Sequence, residues 1–475
     1  MTRAAHALVL AALVGGAACA PKGKYEPPPV PDAPAYKEIG NWKPAQPRDA
    51  DARGAWWDLF GDPALGALEA RIDVSNQSLK LAAARFAQAR GALRGARANL
   101  YPQVVAAPSA SVGRPSGNRA ISSFHDTYTD LALPVDASYE PDFWGRLRGT
   151  VEVNRTAAQA TAADVETARL SLQAELAIDY FTLRGLDRDQ EILNSAVAAY
   201  TQALELTQNR FRGGLASGLD VAQAETQLET TRAQAVDVAV ERASLEHAIA
   251  VLVGELPSGF ALPSSPLDVA PPDVPPGVPS ELLERRADIA AAERRIASSF
   301  AEVGVTRAAF YPVLTLSGAA GFESSSFGSW LSAASFFWTA GPAALINVAD
   351  FGRRRANVAQ AQAAFDTASA SYQQTVLDAF REVEDQLAAV RVLEQEAAIQ
   401  DRAVAAAERS LTLANNRYRG GVASYLEVIT AQSFALANQR TAVNLQIRRM
   451  TAAVLLIKGT GGNFHAAALP TLANP

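Results

Sequence analysis

The stretch RFRGGLASGLDVAQAE at residues 210–225 returns as RYRGGVASYLEVITAQ at residues 417–432, 207 positions further along the chain. Two more landmarks recur in the same order. Ala98-Asn99-Leu100-Tyr101-Pro102 is answered by Ala308-Ala309-Phe310-Tyr311-Pro312, and Phe143, Gly145 and Arg146 of EPDFWGRLRG are answered by Phe351, Gly352 and Arg353 of VADFGRRRAN. The chain is therefore a duplication, with one repeat over 58–255 and a second over 281–458. The segment 256–280, LPSGFALPSSPLDVAPPDVPPGVPS, is the linker, because its prolines forbid a continuous helix or an interior strand. Residues 459–475 form a tail.

Each repeat reads as helix, strand, loop, strand, long helix, tight turn, helix. Residues 146–212 and 353–419 contain no proline and are dominated by Ala, Leu, Glu, Gln and Arg, a strong helix-forming composition. A helix of that length extends about 100 Å. Small residues recur at three and four spacing, as in Ala356, Ala359, Ala363 and Ala370, which lets helices approach closely and coil. A soluble coiled-coil rod and the wall of a tube both fit this pattern. Returning helices are expected at 218–254 and 424–458.

Strands are expected at about 100–114, 127–141, 310–322 and 333–348. In TYTDLALPVDASYE, Leu131, Leu133, Val135, Ala137 and Tyr139 fall on one face, and Asp130, Asp136, Ser138 and Glu140 on the other. In the second repeat Leu314, Leu316 and Phe322 oppose Thr315 and Ser317. A membrane barrel with a polar lumen and a soluble sandwich with one wet face both alternate in this way. Flanking aromatics, such as Tyr128, Phe143, Trp144, Trp330 and Trp338, favour the barrel, because aromatic girdles mark membrane interfaces. Four strands cannot close a barrel that needs at least about eight, and an open edge in lipid is prohibitive. The barrel must be shared, by two chains with eight strands or three with twelve.

The 475 residues are 49% hydrophobic and carry a formal net charge of -6, which gives no basic footprint for nucleic acid. The first 18 residues combine Arg3, a short apolar stretch and small residues, the pattern of a signal peptide. Cys19 is the only cysteine, so no disulfide can form within the chain. Gly16-Ala17-Ala18-Cys19 resembles a bacterial lipobox, with Gly16 where Leu is usual, and the resemblance makes Cys19 a lipidated first residue. The alternative is an ordinary A-x-A cleavage site at Ala18-Cys19-Ala20. The Pro-rich start of the following segment, 19–57, suits a tether between an anchor and a folded body. The four histidines have no metal-ligand spacing, and no G-x-S-x-G or Walker-type loop is present. No cofactor, metal or enzymatic activity is expected.

From about Asp58 to Lys458 the chain resembles the TolC-like outer-membrane factors, in their lipoprotein efflux branch. The lipobox, the doubled R-[FY]-R-G-G-x-A-S turn, the doubled Tyr-Pro and LLERRADIAAAE at 282–293 carry the resemblance; Ala287 stands where relatives usually have Pro. It implies a mainly α fold with a β-barrel part. That fold is a homotrimer with a twelve-stranded outer-membrane β-barrel continuous with a twelve-helix periplasmic α-barrel. It also implies a periplasmic adaptor and an inner-membrane transporter, most often of the resistance-nodulation-division type, as partners. The function implied is the exit duct of a tripartite efflux pump. The exit channel of a protein secretion system and a lipid-anchored periplasmic coiled-coil scaffold are the alternatives.

Three groups of candidate residues follow. The turns at Gly213, Gly214, Ala216 and Ser217, and at Gly420, Gly421, Ala423 and Ser424, lie where long helices must stop and reverse. Glycine supplies a left-handed cap, and Ser217 and Ser424 can cap the returning helices. In the resemblance these turns are the tip that meets the adaptor. Relatives often carry D-V-L-D-A as an acidic constriction. Here Glu427 and Thr430 share a helix face, Leu426 offers an apolar constriction, and Asp220 and Gln223 are the counterparts in the first repeat. A solvated acid favoured by the helix dipole explains Asp220 and Glu427 equally well. Arg146, Arg148, Arg353, Arg354 and Arg355 follow the returning strands, where the helix dipole opposes them, so either phospholipid headgroups or plain solvation must favour them.

Overall fold

The computed structural model describes residues 55–462 except 117, 119–125, 273 and 275–284, together with residues 25, 26, 28, 29 and 37. The signal peptide, Cys19, most of the tether, the end of the linker and the tail from 463 lie outside the described residues. Asp62 opens α1 (Pro63–Ser75) by accepting from the amides of Ala64 and Leu65, with Pro63 at the first helical position. Asn76 then caps α2 (Gln77–Ala98) through Leu79. The strands β1 (Gln103–Ala106), β2 (Ser109–Gly113) and β3 (Tyr128–Tyr139) lead into α3 (Arg146–Arg212) and α4 (Gly218–Leu252). The second repeat follows with α5 (Ala287–Ala308), β4 (Val313–Ser324), β5 (Phe336–Leu345), α6 (Arg353–Arg419) and α7 (Tyr425–Gly459).

The strands form one antiparallel sheet in which β3 pairs with β1 and β2 on one side and with β4 on the other, and β4 pairs with β5. The strand expected over 100–114 is interrupted at Ala107-Pro108, where proline lacks the N–H that a ladder needs. Its register nevertheless runs through, from Gln103 opposite Ser138 to Gly113 opposite Tyr128. The strand expected over 333–348 is shorter, because Ala333–Ser335 form a 3-10 turn. The pairings place Val104, Leu131, Leu133, Val135, Leu316, Phe322, Phe336 and Trp338 on one face, and Ser111, Asp130, Asp136, Ser138, Thr315, Ser317 and Thr339 on the other. The division is clearest in β3, whereas β5 carries Thr339 as its one polar side chain on the second face.

Both long helices contain 67 residues, and each starts on a left-handed glycine, Gly145 (φ 76°) or Gly352 (φ 95°). Among the described residues no helix is long and apolar enough to cross a membrane. Each repeat is closed by the same staple. Asn76 Nδ2 donates to the carbonyl of Leu252 at the end of α4 (2.8 Å), and Arg286 Nη1 donates to that of Gly459 at the end of α7 (2.9 Å). The following glycines, Gly254 and Gly461, have φ of 74° and 92°, which ends both helices, and α4 stops at Leu252 rather than 254. A Cβ on either would collide with the backbone of Ser75 or Arg285.

The main core lies at the level of these staples. Trp56, Phe60, Leu65 and Ile72 pack with Leu176, Phe181, Ile249, Val383, Met450 and Val454, and linker residues Leu267 and Val274 join them. The linker is fixed by polar contacts as well. Arg184 donates to the carbonyl of Pro263 (2.6 Å), Arg242 to that of Leu262 (2.8 Å), and the Ser265 amide to Asp187 (3.0 Å). Asp187 is buried between Arg184 and Arg242, and Glu246 lies 3.5 Å from Arg242, so two carboxylates face the two cations.

Candidate functional site

The two helix-reversing turns lie at the far ends of α3 and α6 from the sheet. In each, the second glycine takes the left-handed conformation, with φ 73° at Gly214 and 75° at Gly421. The amides of Gly214 and Leu215 donate to the carbonyls of Phe211 and Arg210, and those of Gly421 and Val422 to Tyr418 and Arg417. These pairs of bonds satisfy carbonyls that a helix end leaves unpaired. Ser217 and Asp220 form a reciprocal capping box. Ser424 makes no side-chain cap bond, contrary to the expectation that it mirrors Ser217. Leu215, Leu219, Val422 and Leu426 are exposed, so the tip presents apolar side chains among the exposed Arg212, Arg417 and Arg419, with Ala216 and Ala423 half-buried between the turns and the returning helices.

The hairpins are held to one another by residues that the sequence reading did not single out. Tyr418 and Tyr425 are buried edge to face, with ring centroids 5.3 Å apart. The Arg210 guanidinium lies 4.5 Å from the Tyr418 ring centroid and also donates to the Tyr418 carbonyl. The hydroxyls of Thr207 and Tyr418 are 3.2 Å apart, and the Tyr200 hydroxyl donates to the Gln432 carbonyl (3.2 Å). Burial, with Tyr418, Tyr200 and Asp220 adding to it, pushes the Tyr425 hydroxyl up to about 12. The lock is therefore uncharged at Tyr425 over the ordinary pH range. The only sequence signal was a pair of tyrosines seven residues apart around the second turn.

The candidate constriction residues separate in their partners. Asp220 accepts from the Ser217 amide and hydroxyl (2.8 and 2.9 Å) and is half-buried. Glu427 is exposed and lies 3.5 Å from Arg417. Thr430 Oγ1 donates to the Leu426 carbonyl (2.8 Å), and Gln223 is half-buried one turn into α4.

At the opposite ends of α3 and α6 the five arginines also divide. Arg146 grips Glu140 bidentately, Nε donating to Oε1 at 3.1 Å and Nη2 to Oε2 at 2.7 Å, and Arg148 bonds Asp142. Arg354 pairs with Asp350, and this bond holds the Asp350 carboxyl below the usual carboxylate range. For these three, nearby carboxylates offset the dipole, although Arg148 stays largely exposed. Arg353 and Arg355 have no ion pair among the described residues. Trp144, which the second repeat lacks, stacks on Tyr311 (4.8 Å, 14°) and donates to the Pro312 carbonyl (2.8 Å).

The model of the outer membrane efflux protein family matches residues 70–255 and 278–462, the two repeats in turn. The chain belongs to this family. This efflux protein is 31% identical to the toluene efflux pump outer membrane protein TtgF of Pseudomonas putida, over 97% of each chain. Its fold superposes on the outer-membrane channel OprN with a TM-score of 0.85 at 29% identity, covering 94% of this chain and 99% of that one. For the outer membrane protein VceC of Vibrio cholerae the TM-score is 0.82 at 29% identity, covering 87% and 100%. The efflux protein is thus a TolC-like channel protein of the outer membrane, and its relatives are channels rather than enzymes. Among the described residues no group of three or more His, Cys, Asp or Glu side chains is gathered to hold a metal ion.

Proposed function

We propose that three copies of this chain close a twelve-stranded barrel in the outer membrane and a twelve-helix tube below it, forming the passive exit duct of a tripartite efflux pump. The observation that carries this reading is the sheet. Its apolar and polar faces suit lipid and lumen, and its outer strands, β1/β2 and β5, leave edges that only another copy can pair. Helices of 67 residues continue from it, about 100 Å of duct. The exposed tip, with Gly213, Gly214, Gly420 and Gly421 at its turns, is the surface offered to a periplasmic adaptor, and an inner-membrane transporter supplies the energy. Cys19 carries the lipid that tethers each copy. Glu427, with Thr430 and Leu426, narrows the closed tip, and Asp220 and Gln223 line the first-repeat positions.

Single-channel recording of the detergent-purified oligomer in a planar bilayer tests the duct. Stepwise, cation-selective currents are expected, with selectivity falling in Glu427→Ala. A delipidated protein that is soluble, monomeric and without current would overturn the reading.

A further inference from the structure

Where the sheet meets the long helices, the two repeats differ in what they leave exposed. In the first, Arg146 and Arg148 are paired with Glu140 and Asp142, Trp144 is stacked on Tyr311, and Phe143, the counterpart of Phe351, is exposed at 60%. In the second, Asp350 takes Arg354 alone. Two cations, Arg353 and Arg355, are left beside Phe351, whose side chain is fully exposed at 103%. Phe351 is also the only described non-glycine residue with positive φ, at 51°. Ile346 and Val348 next to it are exposed at 62% and 89%, and they continue the apolar run of β5 past the end of the sheet. An exposed aromatic with flanking cations at the rim of a membrane-embedded surface matches the bilayer interface, apolar on the sheet side and phosphate-rich on the helix side.

A separate observation gives the same height. Tyr25 is held against the helices, its hydroxyl 3.4 Å from the Glu293 carbonyl and its ring 5.7 Å from Phe300, which lies 6.0 Å from Phe365 of α6. Phe365 is twelve residues below Arg353 and Tyr372, in the apolar cluster that Tyr25 joins, nineteen, about 18 to 28 Å along the helix. The six residues from Cys19 to Tyr25 reach at most about 20 Å. A lipid on Cys19, even with its tether fully extended, therefore comes no higher than a leaflet surface level with Arg353.

We infer that the second-repeat junction, Phe351 with Arg353 and Arg355, is the surface that binds anionic phospholipid in the leaflet facing the helices, and that Tyr25 sets the tether to that height. This rests on the membrane-barrel reading proposed above. The first-repeat junction, its arginines already paired, takes no part in selecting the headgroup.

The test uses the full oligomer in nanodiscs of mixed phosphatidylcholine and phosphatidylglycerol, with a nitroxide at Phe351→Cys and, separately, at Trp338→Cys on the apolar sheet face. The introduced thiol is the only free one, because Cys19 is either lipidated or removed by cleavage. Both labels are expected to be reached by oxygen in preference to a water-soluble nickel chelate. Arg353→Gln/Arg355→Gln is expected to lower retained phosphatidylglycerol relative to phosphatidylcholine at least about fivefold, with Arg148→Gln unchanged. A label at 351 reached by the chelate, while that at 338 stays in lipid, overturns the inference and leaves the barrel. A label at 351 shielded from both reagents assigns the site to a neighbouring copy and also overturns it. Chelate access at both positions sinks the barrel reading itself. Unchanged lipid retention in the double variant removes the headgroup site.

Discussion

Arg210 of the first hairpin lies across Tyr418 of the second, whereas its counterpart Arg417 stays on its own hairpin, 3.5 Å from Glu427. The difference follows from three exchanges at equivalent positions. Phe211 is exposed where Tyr418 is buried, Gly218 stands where Tyr425 fills the interior, and Asp220 is occupied by Ser217 where Glu427 is left to Arg417. With Asp220 committed to its cap, Arg210 has no carboxylate at home and turns to the neighbouring ring. The duplication kept the backbone mechanics of the turn and redistributed the side chains, so that one repeat supplies the cation and the other the aromatic pocket. Such a lock needs both repeats and cannot be formed by two copies of either.

The staples at the other end provide the largest expected contrast. Arg286 is buried and shared among Asp288, Glu382 and the Gly459 carbonyl, whereas Asn76 makes the equivalent bond as a neutral amide. Arg286→Met is expected to cost about 3 kcal/mol, because Asp288 and Glu382 lose their partner, and Asn76→Ala about 1 to 2 kcal/mol. Thermal unfolding of the detergent-solubilised protein ranks them. Equal losses would mean that the charge contributes nothing beyond the bond to the helix end.

A second asymmetry is α1, which belongs to the first repeat. Its Glu69 is fully buried, neither carboxyl oxygen has a hydrogen-bond partner, and burial with help from Asp73 pushes it up to about 9. A carboxyl raised above its unfolded value favours the folded state most below about pH 4.5, and that advantage is lost as pH climbs toward about 9. Glu69→Leu is expected to stabilise by about 3 kcal/mol near pH 7 and to flatten the decline between about pH 5 and 8. Unfolding midpoints that keep the same pH slope in the variant would show that Glu69 is not the group responsible.

At the tip, Arg210→Ala removes a cation–π contact and a carbonyl bond and is expected to loosen the hairpins by about 1 to 2 kcal/mol, whereas Arg417→Ala costs less than about 0.5 kcal/mol because its ion pair is exposed. Amide exchange at residues 200–225 reads the difference. Comparable protection in the two variants would remove the division of labour proposed for the repeats. The smallest effect is expected at the acids. Asp220→Ala weakens a capping box by about 1 kcal/mol, and Glu427→Ala leaves stability within about 0.5 kcal/mol while lowering cation selectivity. Unchanged selectivity in Glu427→Ala would move the constriction to apolar residues such as Leu426.

Local chemistry was enough to determine much of this protein from its sequence. Glycine pairs stop the helices, proline-free alanine-rich runs extend them, and strict alternation makes a two-faced sheet, because each of these depends on residues close together in the chain. The break at Ala107-Pro108 was not legible, because Pro134 and Pro342 sit inside unbroken strands. Only the tertiary structure decided which distant segments engage: Arg210 on Tyr418 and Trp144 on Tyr311 between the repeats, Arg286 on Glu382 within the second, and the linker held by Asp187 and Arg242 of the first. These contacts join residues from 20 to more than 200 positions apart. Their energies depend on burial and angle, which sequence spacing does not carry. The pairing of Arg146, Arg148 and Arg354 was decided in the same way, since a cation beside a carboxylate in sequence is neutralised only where the turn brings the two together.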